Sequence, residues 1–133
     1  MAESFLVIDD SKLLHQMYRL IFSQGDLAAS TVHYAADGRE GYALLAAHPE
    51  LTLVLLDLNM PEMNGLEVLA RRQAEHLHPN IPIALVTTEG SEEDEARGRA
   101  VGAWDYLRKP FQPSDIQGLV RRARELRRSR GAA

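Results

Sequence analysis

Five short apolar runs alternate with five segments of helical spacing, and that alternation leaves few ways to fold. The runs cover residues 5–8, 31–35, 53–56, 83–87 and 104–107. Strands separated each time by a helix-length segment pair in parallel, with right-handed crossovers that lay helices on both faces of one sheet. The first, third and fourth runs are almost continuously aliphatic, which suits strands covered on both faces. The second and fifth admit His33, Tyr34 and Asp105, with Arg108 just beyond, as sheet edges tolerate. The expected architecture is α/β, a single doubly wound (βα)5 domain whose parallel five-stranded sheet has the order 2-1-3-4-5. At 133 residues the chain suits one domain.

The helical segments show where they should pack. Leu13, Met17, Leu20 and Ile21 fall on one face of the first, and Ile116, Leu119, Val120, Ala123 and Leu126 make an apolar stripe on the last. Asp37 can cap the second, and Ser91 with Asp94 resembles a capping box for the fourth. That fourth segment, residues 92–101, is weakly anchored. Its apolar face is little more than Ala96, Ala100 and Val101, and Gly98 costs about 0.5–1 kcal/mol relative to Ala.

Composition excludes several functions. With no cysteine there is no disulfide scaffold, thiol nucleophile or Cys-ligated metal. No apolar run approaches the ~18 residues of a membrane span, and Met1-Ala2-Glu3-Ser4 does not begin a signal peptide, so a cytoplasmic domain without membrane insertion is expected. The net charge of −4 divides into −9 over residues 1–118 and +5 over residues 119–133. An acidic body argues against nucleic-acid binding, and the basic end suits the negative pole of a terminal helix.

In such a sheet, chemistry gathers at the carboxyl ends of the central strands. Asp9 and Asp10 follow the first strand, Asp57 ends the third, Thr87 ends the fourth and Lys109 follows the fifth. Three clustered carboxylates repel one another, and a single Lys cannot neutralise them. All-oxygen ligands point to a hard divalent cation, and Mg²⁺ held together with a phosphate group fits best. One Asp can then attack phosphorus while Lys109 and Thr87 contact phosphoryl oxygens. The constellation reads as an aspartyl-phosphate site.

The residues around these positions resemble a known family. Val7-Ile8-Asp9-Asp10-Ser11, the run from Leu55 through Asp57-Leu58-Asn59-Met60-Pro61 to Gly65, Val86-Thr87-Thr88, Gly102-Ala103 and Tyr106-Leu107-Arg108-Lys109-Pro110-Phe111 resemble a response-regulator receiver domain of two-component signalling, of the stand-alone chemotaxis type. The resemblance covers about residues 4–128. It implies a flavodoxin-like fold, a receiver domain over residues 1–128 and a short basic tail over 129–133.

It also implies roles. Asp57 is the phosphoacceptor. Asp10 and Asp57 bind Mg²⁺ with the backbone carbonyl of Asn59, and Asp9 acts through a coordinated water. Thr87 and Lys109 grip the phosphoryl group, and the Lys109–Pro110 peptide is cis. Movement of Thr87 lets Tyr106 turn inward, which changes the face made by the fourth helix, fifth strand and fifth helix. The donor is a sensor histidine kinase or phosphotransfer protein and the target is a protein met through that face. The chain catalyses only its own phosphorylation and dephosphorylation, and acts as a monomer or weak dimer. Since no room remains for a DNA-binding domain after residue 128, output is expected through contact; the chain could equally be the receiver portion of a longer signalling protein. The runner-up reading is a constitutive interaction module without functional phosphorylation.

Other features carry less. His15, His33, His48, His76 and His78 show no metal-ligand spacing, and His76 and His78 suit a solvated loop. Trp104 suits packing, Thr88 narrows access to Asp57, and Asn59 and Glu89 flank the site. A haloacid-dehalogenase-type phosphatase would carry Asp where Asn59 stands, and no Gly-rich loop ending in Lys-Ser or Lys-Thr is present for a nucleotide.

Overall fold

The computed structural model describes residues 3–60, 63–88 and 92–131. Its strands are β1 (Ser4–Ile8), β2 (Thr31–Ala35), β3 (Leu53–Asp57), β4 (Ile83–Thr87) and β5 (Asp105–Arg108). The helices α1 (Lys12–Phe22), α2 (Gly38–Ala47), α3 (Gly65–Glu75), α4 (Glu92–Ala100) and α5 (Pro113–Gly131) alternate with them. The sheet is parallel throughout with order β2-β1-β3-β4-β5, as the strand compositions anticipate. The domain boundary expected at residue 128 falls inside α5.

Because side chains alternate along a strand, the three central strands feed two cores. Phe5, Val7, Leu53, Leu55, Ala84 and Val86 point to one face, where they meet Tyr18 and Phe22 of α1 and Ile116, Leu119, Val120 and Ala123 of α5. Leu6, Ile8, Val54, Leu56, Ile83 and Leu85 point to the other and meet Tyr42 and Leu45 of α2 and Val68 and Leu69 of α3. Asp37 caps α2 through Glu40 N–H at 2.8 Å, as expected. Asn64 and Glu67 form the capping box of α3. The capping box expected at Ser91 lies outside the described residues.

The expectation for α1 is corrected. Leu13 and Leu20 are more than half exposed and Met17 is 38% exposed, while Tyr18, Ile21 and Phe22 are buried and Leu14 packs against them. Leu14, Tyr18 and Ile21 have helical spacing too, and periodicity cannot choose between two apolar faces that share Ile21. The aromatic face wins because it has aromatic partners: Phe22 lies 4.9 Å from Phe5, and Tyr18 stacks on Phe111 at 5.5 Å.

A second correction concerns α4. Ala96 and Ala100 are exposed, and the buried residue is Gly98, seated against Leu85 of β4. A glycine that looks like a helix defect in sequence is the point of closest approach between helix and sheet.

The basic end is not simply a solvated charge run. Arg122 pairs with Asp105 at 2.6 Å, Arg124 with Glu3 and Asp26, and Arg127 donates to Thr52 Oγ1 at 2.8 Å. These arginines fold back onto acidic and polar groups of the body, which uses part of the charge asymmetry internally. Elsewhere the buried Arg72 donates to the carbonyl oxygens of Leu77, His78 and Ile81, pinning the connection from α3 to β4.

Candidate functional site

Strand register decides which side chains share an edge. Asp57 lies opposite Val86 and Thr87 opposite Arg108, so β3, β4 and β5 deliver Asp57, Thr87 and Lys109 to the same end of the sheet. Asp9 and Asp10 join them from the end of β1, adjacent to β3. One carboxylate oxygen from each of Asp9, Asp10 and Asp57 lies within 4.8 Å of the others. Asp9 and Asp57 are buried and Asp10 is exposed, so the cluster opens to solvent on the Asp10 side.

Local backbone holds both buried acids. Ser11 N–H donates to Asp9 Oδ1 at 2.8 Å, and Asn59 N–H reaches Asp57 Oδ1 at 3.4 Å. Each Asp thus accepts from the N–H two residues on, the turn that Asp favours at a strand end. Ser11 also caps α1 by accepting from Leu14 N–H. Sequence reading missed this positioning part for Ser11, although the Asp-Asp-Ser run at a strand–helix junction carries the signal. His15, also unassigned from sequence, places Nε2 2.6 Å from the Asp9 carbonyl oxygen.

The compensating cation comes from far along the chain. Lys109 Nζ lies 2.8 Å from Asp9 Oδ2 and 3.6 Å from Asp57 Oδ2. Its own N–H donates to the Thr87 carbonyl at 2.9 Å, and the Lys109–Pro110 peptide is cis, as expected. Burial pushes the Asp57 carboxyl up to about 6; Lys109 opposes the rise, Asp9 and Asp10 add to it, and the Asn59 N–H lowers it. Three carboxylates against one ammonium, with only oxygen donors, fit a hard divalent cation.

Thr87 is fully buried at the end of β4, one residue beyond Val86, the partner of Asp57 in the strand register. Tyr106 is half-buried on β5 and packs against the core under α2 and α3. Its phenol is pushed up mainly by burial, with Asp94 and Glu95 of α4 adding to the rise and Arg108 opposing it. Trp104 packs at the edge of the other core beneath Arg122, whose guanidinium lies 5.3 Å from the ring centroid. Glu89 lies outside the described residues.

Comparison with known proteins gives a consistent result. A family profile described as the response regulator receiver domain matches residues 5–121. A chemotaxis protein CheY homolog of Campylobacter jejuni is 33% identical over 112 residues, covering 84% of this chain and 85% of that one. The transcriptional regulatory protein SrrA of Staphylococcus aureus is 30% identical over 126 residues, 92% of this chain but 49% of that longer protein. The structure of Vibrio cholerae CheY4 superposes with a TM-score of 0.80 at 33% identity, covering 92% of this chain and 99% of that one. A CheY-like receiver domain from Methanospirillum hungatei superposes with a TM-score of 0.83 at 26% identity, covering 97% and 99%.

Proposed function

This chain belongs to the response regulator receiver family, and from that premise we propose that Asp57 accepts a phosphoryl group from the phosphohistidine of a sensor histidine kinase or a phosphotransfer protein. The observation that carries the reading is the buried Asp57 carboxylate at a strand end, with Asp9, Asp10 and Lys109 gathered around it. An Asp57 oxygen attacks phosphorus, and the phosphorus–nitrogen bond of the donor breaks with its electron pair going to the imidazole. Later attack of water on phosphorus returns inorganic phosphate and the free carboxylate.

Asp10 and Asp57, with the Asn59 carbonyl, are the groups that would hold Mg²⁺, and Asp9 would act through water. Mg²⁺ when bound there supplies positive charge that offsets the incoming phosphoryl oxygens. The chain's own contribution lies in Lys109 and Thr87. Lys109 already spans Asp9 and Asp57, so a small shift of its ammonium reaches a phosphoryl oxygen. Thr87 donates its hydroxyl to another, and Tyr106 responds on the neighbouring strand.

The resulting change falls on the α4–β5–α5 face, through which the receiver, residues 1–128, meets a protein target. There α4 rests on the sheet through a glycine, a light anchorage suited to a switch of a few kcal/mol. The setting proposed for this exchange is the cytoplasm.

Intact-mass spectrometry after incubation with acetyl phosphate, with and without Mg²⁺, tests the reading on wild type and Asp57→Asn. One Mg²⁺-dependent phosphoryl adduct that the variant lacks is the expected result. No adduct under conditions that label another receiver would overturn it, and a constitutive interaction module would take its place.

A further inference from the structure

A second group of ligating side chains lies away from the phosphoacceptor edge. The spacing of the five histidines discloses no such group, but the fold brings His33 of β2 against His48 and Glu50 in the connection from α2 to β3. One donor atom from each lies within 4.8 Å of the others. The two imidazoles stack with centroids 4.0 Å apart, and His48 Nδ1 lies 3.0 Å from Glu50 Oε2. Because α2 starts at the carboxyl edge of the sheet and runs back for ten residues, His48 sits about 15 Å from that edge.

We propose that His33, His48 and Glu50 form a binding site for a transition-metal dication of the Zn²⁺ class, separate from the acidic cluster at Asp57. Two imidazoles and one carboxylate are a three-ligand set that leaves a fourth, water-filled position in tetrahedral coordination. Nitrogen-rich donors select Zn²⁺, Ni²⁺ or Cu²⁺ over Mg²⁺, whereas the all-oxygen set at the other end does the reverse. One condition for ligation is already met. Arg127 donates to the Glu50 carbonyl oxygen at 3.0 Å and so holds the main chain that carries the carboxylate. Metal in this site would tie the edge strand β2 to the segment entering β3.

Calorimetric titration of the whole chain with ZnCl₂ in excess Mg²⁺ tests the site, since Mg²⁺ occupies the competing acidic cluster. One Zn²⁺ per chain is expected, weakened about tenfold or more in His33→Gln and in His48→Gln. The control is the double variant His76→Asn, His78→Asn. Asn tolerates the left-handed backbone at both positions, and this variant should bind Zn²⁺ as wild type does. Absence of binding, binding that survives His48→Gln, or binding lost in the control overturns the proposal. Nitrogen-15 spectra of the wild-type imidazoles provide a reading independent of variant folding. Zn²⁺ should shift the His33 and His48 signals and leave His76 and His78 in place, and unmoved His33 and His48 signals overturn the site.

Discussion

Gly98 of α4 rests on Leu85 of β4 so closely that a Cβ at position 98 would lie 2.4 Å from Leu85 Cδ1. The contact sets how near α4 comes to the sheet. It also joins the helix to the strand that ends in Thr87.

Gly98→Ala should therefore destabilise the protein despite the better helix propensity of Ala. The propensity gain of about 0.5–1 kcal/mol is set against an overpacking cost of about 1–3 kcal/mol. Hydrogen exchange should show the loss of protection concentrated in α4. Unchanged or slower exchange there would mean that Leu85 yields freely and the contact is not limiting.

Asp57→Asn should raise stability at neutral pH when no divalent cation is present. With its carboxyl pushed from an ordinary 3.8 to about 6, folded Asp57 keeps a proton that the unfolded chain has lost across that window. Stability contributed by the protonated form is complete below pH 4 and is lost as pH rises through 6. The neutral amide escapes the penalty, by about 1–3 kcal/mol at pH 7 and by nothing near pH 3.5. Urea unfolding of both proteins across pH 3.5–7.5 measures the difference, and a gap independent of pH contradicts it.

Lys109→Met should move the Asp57 titration above about 6, because Lys109 is the strongest influence holding that carboxyl down against burial. Carbon-13 NMR of the Asp57 carboxyl follows the titration directly. A midpoint unchanged or lower in the variant would mean that the ammonium serves Asp9 alone.

Mg²⁺ should raise the melting temperature at pH 7.5, and chelation should reverse the rise. At a concentration about 100 times its dissociation constant the gain is about 2.7 kcal/mol. Asp10→Asn removes a charge from the exposed side of the cluster and should shrink the shift without abolishing the fold. An equal shift in the variant would remove Asp10 from the ligand set.

Arg72→Leu should cost about 2–4 kcal/mol, read as a lower urea midpoint, because the carbonyls of Leu77, His78 and Ile81 lose a charged donor in a buried setting. A loss below about 0.5 kcal/mol would show that water replaces the guanidinium there.

The architecture was legible because period and composition agree along each strand. The aliphatic runs of β1, β3 and β4 announce burial on both faces, and the polar residues of β2 and β5 announce edges. The cluster of Asp9, Asp10, Asp57, Thr87 and Lys109 was legible for a related reason: topology alone sends the ends of parallel strands to one edge. Less legible were relationships that depend on shape. Nothing in the spacing of α1 says that Tyr18 and Phe22, and not Leu13 and Leu20, have partners waiting. Gly98 reads as a helix defect until Leu85 is seen against it. His33 and His48 are far apart in sequence, and only the return of α2 along the edge strand stacks them.

The bond between Lys109 and Asp9 closes over a separation of 100 residues. All three acids precede the lysine in the chain, so a ribosome-bound nascent chain carries the full negative charge of the cluster well before its counter-ion emerges. Until β5 has docked, Asp9 and Asp57 have no ammonium between them, and their mutual repulsion works against closing the edge. A chain truncated before residue 109 would carry the aspartates without the cation that spans them. The same long-range pair that compensates part of the cluster's charge thus ties its electrostatic balance to the docking of β5.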